Sequence, residues 1–161
     1  MADMRGHRAP ALTGTSQRVV LAVVAAALLA GTAACSRDAV PGLSDARARW
    51  AAQGAASYTL TLDSRCGKRA LQGLFAVTVH DGAVTDVEAL DDAAATSLPL
   101  AADYVPTVKE LLDQLADLRT DQVPEAEFDA NGMPTHVMID NEPRGVDDEE
   151  CYDLSEYLPA S

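Results

Sequence analysis

Basic residues are scarce in this chain of 161 residues, in which 12 lysines and arginines face 25 aspartates and glutamates. The formal net charge is −13; residues 1–34, with one aspartate and three arginines, carry +2, which leaves −15 on the rest of the chain. Nucleic-acid binding needs basic patches that displace counterions from phosphates, and anionic lipid headgroups attract clustered lysine and arginine. The composition therefore argues against both kinds of partner and leaves cationic partners or metal ions open.

Motifs of the common catalytic sites are missing as well. The chain contains no P-loop, no GxGxxG, no HExxH and no GxSxG, the patterns that cradle phosphates, bind zinc or present a nucleophilic serine. Beyond residue 34 it keeps only His80 and His136, and each falls within a predicted strand. We therefore predict that the protein is not an enzyme, with a hydrolase as the residual alternative.

A long apolar run occurs once, over the sixteen residues Val19–Ala34. Arginines precede it, and the small residues Thr32, Ala33 and Ala34 lead to Cys35; this order is typical of a secretory signal peptide. The cysteine at the cleavage point resembles a bacterial lipobox, in which the thiol takes a diacylglyceryl group and becomes the first residue after cleavage. An uncleaved anchor of this length would be short for a bilayer core of roughly 30 Å, and a plain cleaved signal is the other alternative.

The signal divides the chain into three parts. Residues 1–34 are predicted to be removed, residues 35–43 to form a lipidated tether, and residues 44–161 to form a single domain that is long enough to bury a core. Acyl chains on Cys35 would hold the protein firmly, because each buried methylene adds about 0.8 kcal/mol. We therefore expect the protein to be anchored in the cell membrane, on its extracytoplasmic face.

Once Cys35 carries lipid, two cysteines remain, Cys66 and Cys151. Two leftover cysteines in an oxidising compartment usually bond, so we predict a structural disulfide between them. A reactive thiol or a metal-binding pair is the alternative, but the chain has no CxxC motif and neither cysteine has a histidine nearby in sequence.

Alternating apolar residues and tight-turn signals predict a small antiparallel sheet of five to six strands. Tyr58, Leu60 and Leu62 alternate with threonines, and Asp81-Gly82 and Asn131-Gly132 each separate two strand-like runs. The predicted strands are Tyr58–Leu62, Leu74–His80, Ala83–Leu90, Val123–Asp129, Met133–Ile139 and a short Cys151–Tyr157. The predicted loop is Asp91–Tyr104, with a helical turn at Ala93–Ala95 as an alternative within it.

Two helices accompany these strands. The first is predicted from Asp45 to about Gln53, with Trp50 as a core residue on its apolar face. Thr107 and Glu110 form a capping box that begins the second, and a leucine-rich stripe continues from there to about Arg119. The order of elements favours an α+β fold with both helices packed on one face of the sheet.

Six carboxylates crowd into the predicted loop from Asp140 to Glu150. Oxygen ligands of this kind could hold Ca²⁺, which takes six to eight oxygens, although their spacing is not that of an EF-hand. The alternative is a solvated acidic loop beside the disulfide, and no other cofactor is expected. The candidate ligands are Asp140, Glu142, Asp147, Asp148, Glu149 and Glu150.

The chain resembles a known family over about residues 45–158. The strongest mark is the Asp-x-x-Gly-x-Pro turn at Asp129–Pro134, followed by Asp147-Asp148-Glu149. The other marks are the lipobox, Tyr58-Thr59-Leu60, Ser64–Gly67, Gly73–Val79 with Asp81-Gly82, Pro106-Thr107 with Glu110–Leu112, Asp140 and Cys151-Tyr152. These features are similar to small lipoproteins of high-GC Gram-positive bacteria that carry domain of unknown function 6174. The resemblance implies a cell-envelope domain with a small sheet-and-helix fold, and it implies no catalytic residues.

Together these observations predict a membrane-tethered extracytoplasmic domain that binds a partner. The leading interpretation is a protein- or peptide-interaction module of the cell envelope, which pairs at an exposed strand edge with a cationic partner. The alternative is a lipoprotein that binds calcium or a small ligand through the Asp140–Glu150 loop. The two differ because Ca²⁺ raises the melting temperature of a protein that binds it.

Overall fold

The computed structural model describes residues 40–53, 56–119 and 121–160. These residues form three helices and six strands, which confirms the predicted α+β class. In chain order the elements are α1 (Leu43–Gln53), β1 (Tyr58–Ser64), β2 (Gly73–His80), β3 (Ala83–Ala89), α2 (Asp92–Ala101), a 3-10 turn (Ala102–Tyr104), α3 (Val108–Ala116), β4 (Val123–Phe128), β5 (Pro134–Asp140) and β6 (Glu149–Pro159). Among the described helices, none has the length and apolar character needed to cross a bilayer.

All six strands form one open antiparallel sheet in the order β3-β2-β1-β6-β5-β4. The β2–β3 hairpin turns at Asp81-Gly82, as predicted. Both turn residues have positive φ angles, 49° and 79°, and this backbone matches the right-handed twist of the strands on either side. The hairpin leaves β3 at one edge of the sheet, while β4 forms the other edge.

One face of the sheet is buried, and no described helix covers the other. Along β1, Tyr58, Leu60 and Leu62 are buried between positions that are more exposed, and Val137 and Ile139 share the buried face of β5, as predicted. The helices add their buried residues to this same core. Those residues are Leu43, Ala46, Trp50, Ala94, Ala101, Val108, Leu111, Leu112 and Leu115.

The predicted loop over residues 91–104 is wrong, because α2 occupies most of it; only the helical alternative at Ala93–Ala95 agrees with the structure, and the helix is much longer. The carboxylate of Asp91 accepts the N–H of Ala94 at 2.8 Å, and such a cap is a strong helix start. Pro99 lies inside the helix, where a proline removes a donor and usually breaks the ladder; this residue hides the helix from sequence reasoning. Three helices rather than two therefore pack on the sheet.

The last strand is longer than predicted and lies in the middle of the sheet. It spans Glu149–Pro159 rather than Cys151–Tyr157, and it pairs with β5 on one side and with β1 on the other. Because β6 has a neighbour on each side, more of its backbone N–H and C=O groups find partners than they would in an edge strand. Glu149 and Glu150 therefore belong to the sheet and not to the predicted acidic loop.

The predicted capping box begins α3. The hydroxyl oxygen of Thr107 accepts the N–H of Glu110 at 3.2 Å, and the carboxylate of Glu110 accepts the N–H of Thr107 at 2.8 Å. The helix ends at Ala116, short of the predicted end near Arg119, so Leu118 is only partly buried. Its four buried apolar residues nevertheless fix one face of the helix against the core.

The turn between β4 and β5 packs directly on α1. The carboxylate of Asp129 accepts the N–H groups of Asn131 and Met133 at 2.8 and 2.9 Å, which shapes the turn. Gly132 has a φ of 87°, and a Cβ at this position would overlap the carbonyl oxygen of Ala46. Glycine is needed here for both reasons, and the close approach fixes the position of α1 relative to the sheet.

Candidate functional site

Cys35, the predicted lipidation site, lies outside the described residues, together with the predicted signal peptide over residues 1–34. Val40, the first described residue, is fully buried. Leu43 opens α1 and is also buried. The last residues assigned to the tether over residues 35–43 are therefore part of the packed domain.

Cys66 and Cys151 form a disulfide with their Cα atoms 5.8 Å apart, which confirms the predicted pairing. The bridge joins the connection after β1 to the third residue of β6. Close by, the N–H of Lys68 donates to the carbonyl of Asp147 at 2.8 Å. The disulfide and this hydrogen bond hold the β1–β2 connection against the segment that leads into β6.

The structure does not gather the six carboxylates named as candidate calcium ligands. Asp147 forms an ion pair with Lys68 at 2.7 Å. Asp140 accepts the backbone N–H of Glu142 at 3.1 Å and stands opposite Glu149 in the β5–β6 ladder. Within the part of the chain that is described, no three His, Cys, Asp or Glu side chains are grouped to hold a metal ion.

Glu150 is buried in the sheet, only 9% exposed. The guanidinium of Arg69 contacts one of its carboxylate oxygens at 2.9 Å, and the hydroxyl of Tyr152 donates to the other oxygen. Asp148, two residues earlier, is half-buried, and one of its carboxylate oxygens has no hydrogen-bond partner among the described residues. A buried carboxylate is costly unless it is paired and hydrogen-bonded. The ion pair with Arg69 and the hydrogen bond from Tyr152 meet this need, so Glu150 has a structural role.

The network predicts that stability falls in alkaline solution. Burial of the Tyr152 ring, followed by its hydrogen bond to Glu150, raises the pKa of Tyr152 above its usual 10.0. Above pH 10 the unfolded chain therefore loses this proton while the folded chain keeps it, and the stabilisation falls by up to about 1.4 kcal/mol per pH unit. Urea denaturation between pH 9 and 11.5 should show a shallower decline for Tyr152→Phe than for the wild type. The control Tyr104→Phe, at an exposed ring, should keep the wild-type decline. If Tyr152→Phe declines as steeply as the wild type, Tyr152 is not the group whose raised pKa causes the loss of stability.

His80 and His136 lie in strands, as predicted, and do not meet. The Nδ1 atom of His136 lies 2.6 Å from a carboxylate oxygen of Asp153, and that of His80 lies 3.2 Å from Asp81. The two histidines belong to β2 and β5, and β1 and β6 separate these strands. They therefore contribute to no common site.

A cavity of about 600 Å³ opens between α1 and α3, at the end of the sheet where β1 begins. Its lining is mainly apolar and includes Trp50, Ala51, Tyr58 and Leu112. The rings of Trp50 and Tyr58 meet edge to face, with centroids 5.7 Å apart and planes at 87°. Ligand pockets in proteins usually measure about 300–1,000 Å³ and have apolar walls with few polar groups, so this cavity is the right size for a small molecule.

Charged residues stand at the same cavity. Arg47 and Lys109 both line it and both pair with the carboxylate of Asp113, Arg47 at 2.8 Å. Two cations thus share one anion. The oxygen of the Tyr58 hydroxyl accepts the N–H of Val108 at 3.0 Å, and burial raises the pKa of this hydroxyl.

The two edges of the sheet differ in their backbone groups. Directly after β3, the N–H of Leu90 donates to the carbonyl of Leu74 in β2 at 2.8 Å. Because bonded and non-bonded pairs alternate in an antiparallel ladder, the N–H and C=O groups of Val87 and Ala89 point away from β2. No described strand pairs with that side of β3. β4, in contrast, contains Pro124, a residue without an N–H that is typical of protected edges.

These features define a small α+β domain. Helices cover one face of its open antiparallel sheet, and a disulfide joins β6 to the β1–β2 connection. Residues 42–158 match a family model described as a family of unknown function, DUF6174. The chain belongs to this family, which confirms that part of the resemblance drawn from its motifs. No curated protein and no solved structure matches the chain.

The sequence alone did not reveal which distant residues form ion pairs with Glu150 and with Arg47. Arg69 and Glu150 are separated by 81 positions, and Arg47 and Asp113 by 66, so no local pattern links either pair. The only available signal was Lys109, four residues before Asp113, a spacing that favours ion pairs on a helix.

Proposed function

We propose that this domain is the extracytoplasmic part of a cell-envelope lipoprotein, anchored to the membrane through Cys35, and that it binds a protein or peptide. The pattern of Val19–Ala34 before Cys35 supports the anchor. The excess of arginine over lysine, ten to two, and the family resemblance support a high-GC Gram-positive host. A binding role rather than a catalytic one agrees with the separation of the two histidines.

The unpaired edge of β3 is the observation that carries the binding proposal. Val87 and Ala89 direct backbone donors and acceptors outward in the spacing that an added antiparallel strand requires. The strand has no proline, and its neighbour β2 pairs with it along its length. An extended peptide can therefore continue the sheet at β3, whereas Pro124 interrupts the row of donors in β4.

Charge favours a cationic peptide at this edge. Asp86 and Glu88 are exposed on β3, on the sheet face that the described helices leave uncovered. They repel a second copy of the same strand, which protects the edge from self-association. They attract an extended segment that carries lysine or arginine, and they speed its encounter.

A matched pair of double variants tests this site. Asp86→Lys with Glu88→Lys reverses two exposed charges on β3, and Glu125→Lys with Glu127→Lys reverses two exposed charges at the same spacing on β4. We expect chemical crosslinking in intact cells, followed by mass spectrometry, to recover a reproducible envelope partner with the wild type and the β4 variant. The β3 variant should lose most of this partner, because like charges across an interface cost several kcal/mol.

Three results would contradict the proposal. The first is equal recovery of the partner by both double variants, and the second is its loss only with the β4 variant. The third is no partner together with a melting temperature that rises on addition of Ca²⁺, which would favour the metal-binding alternative at Asp140–Glu150.

A further inference from the structure

We propose that the cavity between α1 and α3 binds a small amphiphile with an apolar body and a carboxylate head. This site differs from the β3 edge in position and in ligand, and it does not depend on the proposed peptide binding. The size of the cavity, the apolar character of its walls and the charges beside it each restrict the ligand.

The walls of the cavity fit an unbranched or aromatic hydrocarbon. Trp50, Tyr58 and Leu112 contribute apolar atoms to the lining, and the small side chain of Ala51 leaves space on the α1 side. Burying each methylene there gains about 0.8 kcal/mol. At about 600 Å³ the cavity is large enough for a drug-sized molecule.

The charges beside the cavity favour a single negative head. Arg47 uses one N–H group on Asp113, and a guanidinium has five N–H donors in a planar fork that suits carboxylates. Lys109 shares the same partner, and Asp113 also lines the cavity, so the charged residues of the described lining, two cations and one anion, carry a net charge of +1. The nearby carboxylate of Glu110 is held by the N–H and the hydroxyl of Thr107 and does not line the cavity.

The hydroxyl of Tyr58 supplies a further donor. Its oxygen accepts the N–H of Val108, and its own proton has no acceptor among the described residues. The Tyr58 side chain is 3% exposed, so a buried donor without an acceptor loses a hydrogen bond that water would give it. A carboxylate oxygen in the cavity that Tyr58 lines would give this donor an acceptor.

Decanoate is the probe, and Trp50 reports its binding because it is the only tryptophan in the chain. The full chain is purified in a non-ionic maltoside detergent, which has neither a carboxylate nor a tryptophan, and is titrated with decanoate and with decanol at a fixed detergent concentration. We expect a saturable change in Trp50 fluorescence with decanoate. Ala51→Phe fills the cavity and should abolish the change, whereas Ala52→Phe, at the next position on α1 and outside the lining, should retain it.

A second pair of variants tests the head group. Arg47→Gln should weaken decanoate binding about tenfold, because a hydrogen bond to a charged group contributes roughly 1.5–3 kcal/mol, and should leave decanol binding unchanged. Arg49→Gln, on the same helix but outside the lining, should leave both unchanged. The proposal is overturned if decanoate causes no saturable change, if decanol binds as tightly as decanoate, or if both glutamine variants behave alike. The Arg47 pair decides the question even if Ala51→Phe fails to fold.

Discussion

Replacing Cys66 and Cys151 together by serine is expected to lower the free energy of unfolding by about 4 to 5 kcal/mol. The disulfide spans a sequence separation of 85 residues, and a bond across that length removes many conformations from the unfolded chain. Domains of this size are usually stable by only about 5–15 kcal/mol. The double variant should therefore unfold at much lower urea concentration than the wild type.

Reduction provides the control for this prediction. A reductant should lower the stability of the wild type to that of the double serine variant, and it should leave the variant unchanged. If the two proteins differ by less than about 1 kcal/mol, an ordinary effect for a single substitution, the disulfide does not constrain the unfolded chain as argued. The lost contact between the β1–β2 connection and β6 should be local, so the circular dichroism of the sheet should be retained below the transition.

Cys35→Ala is expected to abolish lipid attachment completely. In cells fed an alkyne-labelled fatty acid, the wild type should carry the label and should lack residues 1–34. The variant should carry no label and should retain these residues, because it lacks the thiol that we propose as the acceptor of the diacylglyceryl group. Each acyl methylene contributes about 0.8 kcal/mol to membrane binding, so the difference in anchoring is large.

The neighbouring substitution Ser36→Ala is the matched control and should keep both the label and the processing. The lipoprotein proposal fails if Cys35→Ala is processed and membrane-bound as before. It fails equally if the wild type is exported without the label, which is the behaviour of a plain secreted protein.

Local chemistry made much of the fold predictable. The β2–β3 turn follows from Asp81-Gly82, since few other residues adopt its positive φ angles. The start of α3 follows from Thr107 and Glu110, whose side chains satisfy backbone donors three residues apart. Each of these signals lies within a few residues, and each agrees with the tertiary structure.

The misplaced elements depend on contacts that no short segment contains. α2 forms around Pro99 because Asp91 caps it and because Ser97 donates to the carbonyl of Gln72 at 2.8 Å. β6 extends through Glu150 because Arg69, distant in sequence, compensates its buried charge. In both cases tertiary partners override the local preference that the sequence displays.

The candidate sites were less predictable than the fold. The crowding of carboxylates from Asp140 to Glu150 suggested a shared role, yet these residues lie in β5, in β6 and between the two strands, and they contact different partners. The cavity joins Arg47 to Lys109 and Asp113 across two helices, and the edge of β3 exists only because of the strand order. Both sites form only when the fold brings distant elements together, and the composition of the chain indicated only the charge of a partner.

A photoreactive amino acid on each edge of the sheet gives the most direct test of the central claim, which is that β3 receives a partner. Benzoylphenylalanine would replace Glu88 on β3 or, as the matched control, Glu127 on β4; both side chains are exposed. Irradiation of intact cells should yield a discrete crosslinked envelope protein from the β3 position and much less from the β4 position. Equal crosslinking from both edges, or a product from β4 alone, would contradict the account.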